Sequence, residues 1–595
     1  MSSSDFAAIP LQWDAEPATQ LRRLRDEIAR RQRFPDADTA AFMLQALDAL
    51  ERLTSDTASP DSVLALIDVG RYFFFKNDLE RSVRVSAVAV LKAVTSGNRA
   101  LEARARMSHG TGLRHDDQLF ESFQEFSLAL ELARAAGDAS LEAKVLNNLG
   151  NWYNDAGLYL DAREIFETVA KHFIATGDAV SAWMALDNAA ISCIGLDDYQ
   201  HGLRLATRAA EVWTNEPHSR QESHWIVQGM SVYCQLLLMA GRTDEAVYCA
   251  RNALAVALQS GSERSKSLAE TFSAVTEFCS GRADSGIVEG NLSRTRLSSS
   301  FEHRDALGWT IFAFELTDEL DRALELQAEL LAMNKESKFA SLRRVFGRAS
   351  PDESQGSAKL ATLGTAVDRR VDTLISTAVL QGLRYGFDQA RIFRVGRLSE
   401  LFALSLGWEA GRVTTLKLAA NLMDVGIMVV PDGLLRRPAT WSRGERGIFE
   451  EHARFGAEVL ERSRLSLLQP CAPIVRFHHE YWDGSGPAGL TGNEIPVESR
   501  VVALCDVFDE LTHSQPWKGA VPVPVALQMI GENTGKRFDP NLSEDFAHWV
   551  RVELCNIDDL ELHLSAEALD NGYCKTQERI RRLLQGADMP VTDFT

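Results

Sequence analysis

The sequence predicts an all-α protein in two parts, a helical repeat array followed by a different helical region. A helical apolar period, broken by short turns such as SGN, AGD and TGD, runs from residue 58 to about residue 335. The pattern recurs about every 40 residues and stops before a stretch rich in Ser, Gly and Ala. The composition, with 45% apolar and 25% charged residues over 595 positions, is typical of a globular protein.

The charge balance and the apolar pattern exclude several classes of partner. The chain has 63 Lys and Arg residues against 83 Asp and Glu residues, which gives a formal net charge of −20 and a pI of about 5.2. An acidic surface repels nucleic acid and anionic lipid, so we expect no nucleic-acid partner. No secretory signal and no run of about eighteen apolar residues is visible, so we expect no membrane insertion. The eight cysteines form no C-x-x-C spacing, which predicts reduced thiols and a cytoplasmic location.

Each repeat is predicted to be a pair of helices that approach closely at a small residue. The small residues that open the second helix follow one another at steps of 37 to 44 residues: Ser82, Ser122, Ala162, Gly202, Ala246, Gly286 and Ala323. Two helices and two short turns fit into this length, and such a fixed period is typical of a solenoid. We expect the array to span residues 58–335, with residues 1–57 forming an N-terminal helical cap.

The clearest unit is LNNLGNWYNDAGLYLDAREIFETVAKHF. It resembles a tetratricopeptide repeat at these positions: Leu149, Gly150, Tyr153, Gly157, Tyr159, Ala162 and Phe166. The step exceeds the 34 residues of that family, which indicates somewhat longer helices or turns. The resemblance implies that a protein or peptide binds on the concave surface of the array. The alternative is a spacer or a dimerisation scaffold.

The repeat pattern ends in a segment with the composition of a linker. The stretch GRASPDESQGSAKLATLGTA is poor in large apolar residues, and we assign residues 336–369 to the linker. The second region covers residues 370–550, and residues 551–595 are predicted to form a C-terminal helical tail. Because the linker has few groups able to form a shared core, we expect two parts that fold independently.

Four stretches of the second region carry its chemistry. They are RIFRVGRLSELFALSLG, NLMDVGIMVVPDGLLRRP, EEHARFGAEVL and FHHEYWDGSGPAGLTGNEIPVESRVVALCDVFDELTHSQPW. In order and spacing they resemble the HD-GYP family of HD-domain phosphohydrolases, whose patterns are H-x-x-R-V, L-H-D-I-G-K-I-x-V-P-D, H-P-x-x-G and a long Gly-rich segment. The resemblance implies an all-helical domain, a site for two or three metal ions and hydrolysis of cyclic di-GMP.

The resemblance also assigns roles to particular residues. The metal ligands are expected to be Asp424, His452, His478, His479 and Asp506, and Asp424 would bridge two ions. Imidazole and carboxylate ligands suit borderline divalent metals such as Fe, Mn or Zn. The family would aim Lys518 at the phosphate of the ligand. The family loop is represented by Gly484, Gly486 and Pro487, with its Tyr missing.

Several family positions are lost, and they cluster on one side of the expected site. The first metal-ligating histidine is Arg391 here, and the histidine of the His-Asp pair is Met423. An additional metal-ligating Glu falls at Phe387, and the phosphate-contacting Lys falls at Ile427. A guanidinium has no free lone pair, and a thioether is a poor ligand for these metals. We therefore assign no residue as catalytic. We expect the metal site to have reduced occupancy or to bind no metal.

Two arrangements of Arg391 are open from the sequence. Its guanidinium either lies between Asp424 and Asp506, where it replaces a metal ion, or extends into solvent along its helix. Three functions are also open. The first is a signalling regulator that no longer hydrolyses cyclic di-GMP efficiently but binds nucleotide or partner proteins. The second is an active phosphodiesterase with a reduced metal site. The third is a structural scaffold in which the histidines are relics.

Overall fold

The computed structural model describes residues 17–33, 38–53, 59–76, 78–213, 223–260, 263–296, 300–346, 360–435, 438–463, 465–557 and 559–585. The regular structure in these ranges is helical, which confirms the predicted all-α fold class. None of the helices described is long and apolar enough to cross a membrane. All eight cysteines are free thiols, and six of them are buried.

The first part of the chain is a stack of helix pairs. Its helices are α1 (Pro17–Arg33), α2 (Thr39–Leu53), α3 (Pro60–Phe75), α4 (Leu79–Ser96), α5 (Arg99–His115), α6 (Leu119–Ala135), α7 (Ala139–Asp155), α8 (Tyr159–Thr176), α9 (Ala179–Gly195), α10 (Tyr199–Trp213), α11 (Ser223–Met239), α12 (Thr243–Ser260), α13 (Glu263–Cys279), α14 (Gly286–Thr295), α15 (Ser300–Leu316) and α16 (Leu320–Phe346). From α3 onwards each odd-numbered helix packs against the even-numbered helix that follows it. Helices α1 and α2 pack on α3 through an apolar cluster that includes Leu21, Met43 and Val63.

The small residues predicted to open each second helix lie where the two helices of a pair meet. Six of them are buried at the fourth position of their helix: Ser82, Ser122, Ala162, Gly202, Ala246 and Ala323. In the clearest unit a Cβ on Gly150 would lie 2.7 Å from Cε1 of Phe166, so a larger residue has no room. Gly286 does open the second helix of its pair, α14, but it is exposed at the first position of that helix, so the expected close approach of the two helices at this residue is not found.

The second part is built of shorter helices. They are α17 (Leu360–Tyr385), α18 (Arg391–Ser405), α19 (Ala410–Leu422), α20 (Asp432–Leu435), α21 (Arg443–Glu461), α22 (Ala472–Arg476), α23 (Val497–Thr512), α24 (Val523–Glu532), α25 (Pro540–Val552), α26 (Leu560–Ser565) and α27 (Gly572–Gln585). One 3₁₀ helix, Val425–Val429, connects α19 to α20 and is called the 425–429 turn below. Further 3₁₀ helices are Pro438–Thr440, Gln469–Cys471, Gly492–Glu494, Leu554–Asn556 and Ala566–Asp570.

Helix occupies both ends of the segment predicted as a linker. Helix α16 continues to Phe346 and α17 begins at Leu360, whereas the centre of the segment, residues 347–359, lies outside the described residues. The apolar positions Leu326 and Leu330 of α16 pack against the core.

The expected absence of a shared core between the two parts is wrong. A single apolar cluster runs from the repeat helices into the second part of the chain. At its centre Tyr573 of α27 stacks on Phe123 and Trp152 of the array, with ring centroids 5.4 and 6.2 Å apart. The hydroxyl of Tyr153 donates to the side chain of Gln577 at 3.0 Å. The composition of the linker says nothing about these contacts, because they form between helices far from it in sequence.

Candidate functional site

The side chains expected to bind metal come from four elements that meet in the second part. They are Asp424 after α19, His452 in α21, His478 and His479 after α22, and Asp506 in α23. The 425–429 turn lies directly on α21, since a Cβ on Gly426 would be 2.0 Å from the carbonyl oxygen of His452. This close approach places Oδ1 of Asp424 3.6 Å from Nε2 of His452.

Three histidines form a cluster with the properties of a metal site. One potential ligand atom from each of His452, His478 and His479 lies within 4.8 Å of the other two. The Nδ1 atoms of His452 and His478 each donate to a backbone carbonyl at 2.7 Å, which leaves Nε2 with its lone pair. The Nε2 atoms of all three residues are buried without a hydrogen-bond partner in the described structure. Such orphaned acceptors fit a borderline divalent metal.

Electrostatics favour the neutral form of His452 and His479. Burial, helped by the neighbouring His478, lowers the pKa of His452 to about 3. Burial and the two other imidazoles hold the pKa of His479 well below its ordinary value. Neutral imidazoles are the form that binds metal, so the charge state also fits such a site.

The other side of the site holds a guanidinium. Nη2 of Arg391 lies 2.5 Å from Oδ1 of Asp506, and Nη1 lies 3.4 Å from Oδ2 of Asp424. All three side chains are buried. Burial raises the pKa of Asp424, and Arg391 opposes this shift. Of the two arrangements open from the sequence, the structure therefore has the guanidinium between the carboxylates.

Of the remaining substituted positions, one contacts this guanidinium and the other two are buried. Phe387 stacks under Arg391, whose Cζ lies 3.8 Å from the centroid of the ring. Met423 and Ile427 are buried in the core. The stacking of Phe387 was not predictable from the sequence, because Phe387 lies between α17 and α18, where a spacing of four residues does not bring side chains together. A cation–π contact and two carboxylates stabilise the buried charge, while Nε of Arg391 is buried without a hydrogen-bond partner among the described residues.

Among the described residues, no contact connects Lys518 to the histidine cluster. Its ammonium pairs with the carboxylate of Glu510 at 3.6 Å, and about a third of the side chain is exposed. The preceding residue, Trp517, packs against Tyr385 with ring centroids 5.0 Å apart. Lys518 therefore lies on a partly exposed segment next to the aromatic residues that flank Phe387.

The Gly-rich family loop is organised by a buried carboxylate. The family positions are Gly484, Gly486 and Pro487. Both carboxylate oxygens of Glu480 accept backbone hydrogen bonds, from Ala488 at 2.6 Å and from Leu490 at 3.0 Å. A Cβ on Gly486 would lie 2.6 Å from the backbone nitrogen of Tyr481, so this position requires glycine. The loop thus fixes the segment that directly follows His478 and His479.

Two residues of the repeat array reach the elements that carry the site. Nδ2 of Asn334 donates to the carbonyl of Val429 at 3.1 Å, at the end of the 425–429 turn. Nζ of Lys335 pairs with Glu451 at 2.5 Å, next to His452 in α21. Neither residue was predictable from the sequence, because nothing in a solenoid helix signals a contact with residues about 100 positions away.

Comparison with known proteins defines the class of the second part. A model of the HD domain family matches residues 366–542. The C-terminal region of this chain is therefore an HD domain. It is homologous to the HD-GYP cyclic di-GMP phosphodiesterases.

Two curated relatives illustrate the similarity. The cyclic di-GMP phosphodiesterase response regulator RpfG of Xanthomonas campestris pv. campestris is 36% identical over 182 residues, which are 30% of this chain and 48% of the relative. The 3′3′-cGAMP-specific phosphodiesterase 2 of Vibrio cholerae is 34% identical over 162 residues, 27% of this chain and 31% of the relative. The chain thus spans less than half the length of these curated relatives.

A solved structure aligns over a longer part of the chain. It is a Rap protein complexed with competence and sporulation factor, and the alignment covers 56% of this chain and 90% of that one. The TM-score is 0.46 and the sequence identity is 15%.

Proposed function

We propose that this protein is a cytosolic signalling regulator in which a repeat array binds a protein or peptide and the HD domain has lost efficient hydrolysis of cyclic di-GMP. The observation that carries the proposal is the guanidinium of Arg391 between Asp424 and Asp506. In the HD-GYP pattern these carboxylates share metal ions with the histidines that Arg391 and Met423 replace. A fixed positive charge at this place repels a divalent ion.

The chemistry of phosphodiester hydrolysis explains why replacing a metal ion by the guanidinium of Arg391 should slow the reaction. The reaction at neutral pH requires an activated water and positive charge on the departing oxygen. A guanidinium supplies charge but cannot ligate or deprotonate a water, because it has no free lone pair. Loss of the second metal and of the Lys at position 427 should slow hydrolysis about 10³-fold or more.

The intact half of the site can still hold one divalent ion. His452, His478 and His479 would provide nitrogen ligands, and Asp424 would provide a carboxylate. Such an ion, when bound, supplies Lewis acidity toward a phosphate oxygen. The chain itself orients the imidazoles through the hydrogen bonds from Nδ1 of His452 and His478. Arg391 meanwhile keeps Asp424 and Asp506 paired.

A second candidate function is an active phosphodiesterase that uses this single metal position. The three unpaired Nε2 atoms favour it, since they remain arranged for an ion. The names of the relatives include both cyclic di-GMP and 3′3′-cGAMP phosphodiesterases, so the ligand of either candidate would be a cyclic dinucleotide.

The two candidates are separated by turnover and metal content of the full chain. The protein is purified, analysed for Fe, Mn and Zn, and incubated with each cyclic dinucleotide in the presence of added Mn or Fe. The regulator is expected to hold at most one ion per chain and to show turnover at least about 10³-fold below the usual enzyme range of roughly 1–10³ per second. Turnover within that range would establish the phosphodiesterase instead.

A further inference from the structure

Five aromatic side chains, called the aromatic cover below, connect the histidine cluster to a tight turn between α23 and α24. They are Tyr385, Phe387, Trp441, Phe449 and Trp517. The ring of Tyr385 lies at the centre of the cover, with the centroids of the other rings 4.7 to 5.8 Å away. The cover contacts the cluster through Phe449, whose ring centroid lies 4.7 Å from that of His452. One side of the cluster is therefore closely packed with aromatic rings.

The turn that carries Trp517 is fixed by its own backbone and by Gly386. Each of Gln515 and Lys518 donates its backbone N–H to the carbonyl of the other, at 2.8 and 3.1 Å. A Cβ on Gly386 would lie 2.8 Å from the ring of Trp517 and 3.2 Å from Cγ of Pro516, so nothing larger than glycine fits under the turn. Gly386 also has a φ of +99°, in the region that favours glycine. The room and the backbone conformation at this position thus both allow Trp517 to close on the connection between α17 and α18.

The potential metal-ligand atoms of the histidines are out of reach of water in this arrangement. The Nε2 atoms of His452, His478 and His479 each have less than 1 Å² of accessible surface. His452 and Asp424 expose 0% and 4% of their surface. A phosphate or a water has to contact a metal ion directly if the ion is to act on it. An ion held here would therefore reach a substrate only after part of the surrounding structure moves.

The set of potential ligands is complete without a water. Three imidazole nitrogens and one carboxylate oxygen make four protein ligands, which is the number in a structural zinc site, whereas a catalytic zinc site keeps one position for water or substrate. The two oxygens of Asp424 have different neighbours. Oδ1 lies 3.6 Å from Nε2 of His452, and Oδ2 lies 3.4 Å from Nη1 of Arg391. Asp424 can thus give one oxygen to an ion while the other stays with the guanidinium.

We propose that the histidine cluster is a structural metal site, which retains one divalent ion of the zinc type behind the aromatic cover, and that Trp517 controls the release of this ion. The inference rests on the proposed function for the single ion in the intact half of the site. Trp517 has this role because its turn is the part of the cover nearest to solvent, with Pro516 and Gly519 exposed. The ion would stabilise the HD domain and exchange slowly.

The first experiment measures the release of zinc from the full chain. The protein is loaded with one equivalent of zinc, desalted and mixed with an excess of the coloured chelator pyridylazoresorcinol, without any nucleotide. We expect the wild type to release zinc over hours, and Trp517→Ala to release it at least tenfold faster. Complete release by the wild type within a minute, or equal rates in the two proteins, would overturn the proposal.

The matched control for this experiment is Trp408→Ala. Trp408 is a partly buried tryptophan of the HD domain that lies outside the cover, against Arg412. This variant should release zinc like the wild type, and release as fast as in Trp517→Ala would refute a specific role of Trp517. Trp517→Phe keeps a smaller ring in the turn and should also release zinc faster than the wild type, which provides the test if Trp517→Ala does not fold. Slow release that persists in His479→Gln would place the zinc elsewhere and overturn the site.

The structural role is tested by thermal unfolding with and without one equivalent of zinc. A ligand that binds only the folded chain raises the unfolding midpoint, so zinc should raise the midpoint of the wild type but not that of His479→Gln. An unchanged midpoint in the wild type would overturn the structural role. Fast zinc release without turnover would overturn the closed site and leave the regulator standing, whereas cyclic dinucleotide turnover in the usual enzyme range would contradict the regulator whatever the release rate.

Discussion

At the scale of single residues, Arg391 acts as an internal cation for two buried carboxylates. Removing it with Arg391→Ala leaves Asp424 and Asp506 without a counter-charge, which should cost about 3–5 kcal/mol of unfolding free energy. The measurement is the urea denaturation midpoint. Arg462→Ala removes a largely exposed arginine and should change the free energy by less than about 0.5 kcal/mol. Equal midpoints for the wild type and Arg391→Ala would refute the role of this cation.

The metal ligands that are missing beside Asp424 and Asp506 can be restored by substitution. Arg391→His combined with Met423→His returns two imidazoles to the family positions, beside Asp424 and Asp506. We expect the metal content to rise by one ion per chain relative to the wild type, as measured by elemental analysis. Catalysis should recover less, because position 427 remains Ile. A metal content unchanged by the double substitution would contradict the expected second site.

His513 should make the stability of the HD domain depend on pH. Burial disfavours its charged form, but the hydrogen bond with Asp509, 3.1 Å from Nδ1, outweighs burial and raises the pKa of His513 to about 9. Since the pKa of His513 is about 6.5 when the chain is unfolded, its stabilising contribution is complete below that pH and is lost as the pH rises through 9. Because His513 is partly exposed, solvent screening reduces its contribution to below the roughly 3 kcal/mol that a shift of this size corresponds to.

The measurement for His513 is the unfolding free energy at pH 6 and at pH 9.5. The wild type should lose more stability between these values than His513→Gln, which cannot carry the charge. The difference between the two proteins isolates His513 from the other groups that titrate in this range. Identical losses would show that the imidazolium does not stabilise the fold.

The histidines and carboxylates of the site were predictable because the resemblance fixes their order and spacing. Their actual convergence, and the orphaned Nε2 atoms, required the structure. The position of the Arg391 guanidinium was not predictable, since a long side chain at a helix start can extend either inward or outward with the same sequence. Whether the histidines bind metal stays a prediction.

At the scale of elements, the contact between the 425–429 turn and α21 depends on Gly426. A Cβ at this position would collide with backbone atoms, the carbonyl oxygen of His452 at 2.0 Å and the nitrogen of Gly456 at 2.7 Å. Backbone cannot move aside as a side chain does, so Gly426→Ala should cost about 3 kcal/mol or more of unfolding free energy. It should also weaken metal binding, because Asp424 would move away from His452.

A matched glycine in α21 provides the control for that substitution. A Cβ added to Gly447 would have no atom within 4 Å, and this residue lies in a helix. Gly447→Ala should therefore stabilise the protein by about 0.4–1 kcal/mol through the unfolded chain. The measurement is the urea denaturation midpoint of both variants. A Gly426→Ala protein as stable as the wild type would show that the turn can separate from α21 without cost.

The repeat helices were predictable from their period, because the close approach of two helices demands a small buried residue at a fixed place. Gly286 shows the limit of that inference. Glycine is compatible with a helix interface and equally with the start of a helix, so the composition of a segment such as ADSGIVEG does not distinguish the two. The two cases are distinguished only by the position at which the helix begins in the structure.

At the scale of the whole molecule, the aromatic stack of Tyr573 on Phe123 and Trp152 joins the array to α27, the helix that follows the HD domain. Tyr573→Ala should cost about 3–5 kcal/mol, since the side chain is almost completely buried. We expect one calorimetric unfolding transition for the wild type and two for this variant. The neighbouring Leu569 is 68% exposed, and Leu569→Ala should keep a single transition. Two transitions in the wild type would indicate that the parts unfold independently.

The sequence could not reveal this interface. Phe123 and Trp152 look like core residues of their own repeat, and Tyr573 looks like a core residue of a terminal helix. Periodicity within a helix indicates which of its faces is buried, but it does not identify the helix that covers that face. The interface joins residues that are more than 400 positions apart.

The stack also sets an order of events during biosynthesis. A nascent chain presents Trp152 long before Tyr573 has been translated, and the intervening 421 positions take roughly 20–80 s at about 5–20 residues per second. Throughout that interval the repeats have emerged from the ribosome with one aromatic face uncovered, a surface that holdase chaperones recognise. The yield of correctly folded protein thus depends on how that aromatic face is shielded until translation ends. The free energy of unfolding of the complete chain does not measure this dependence.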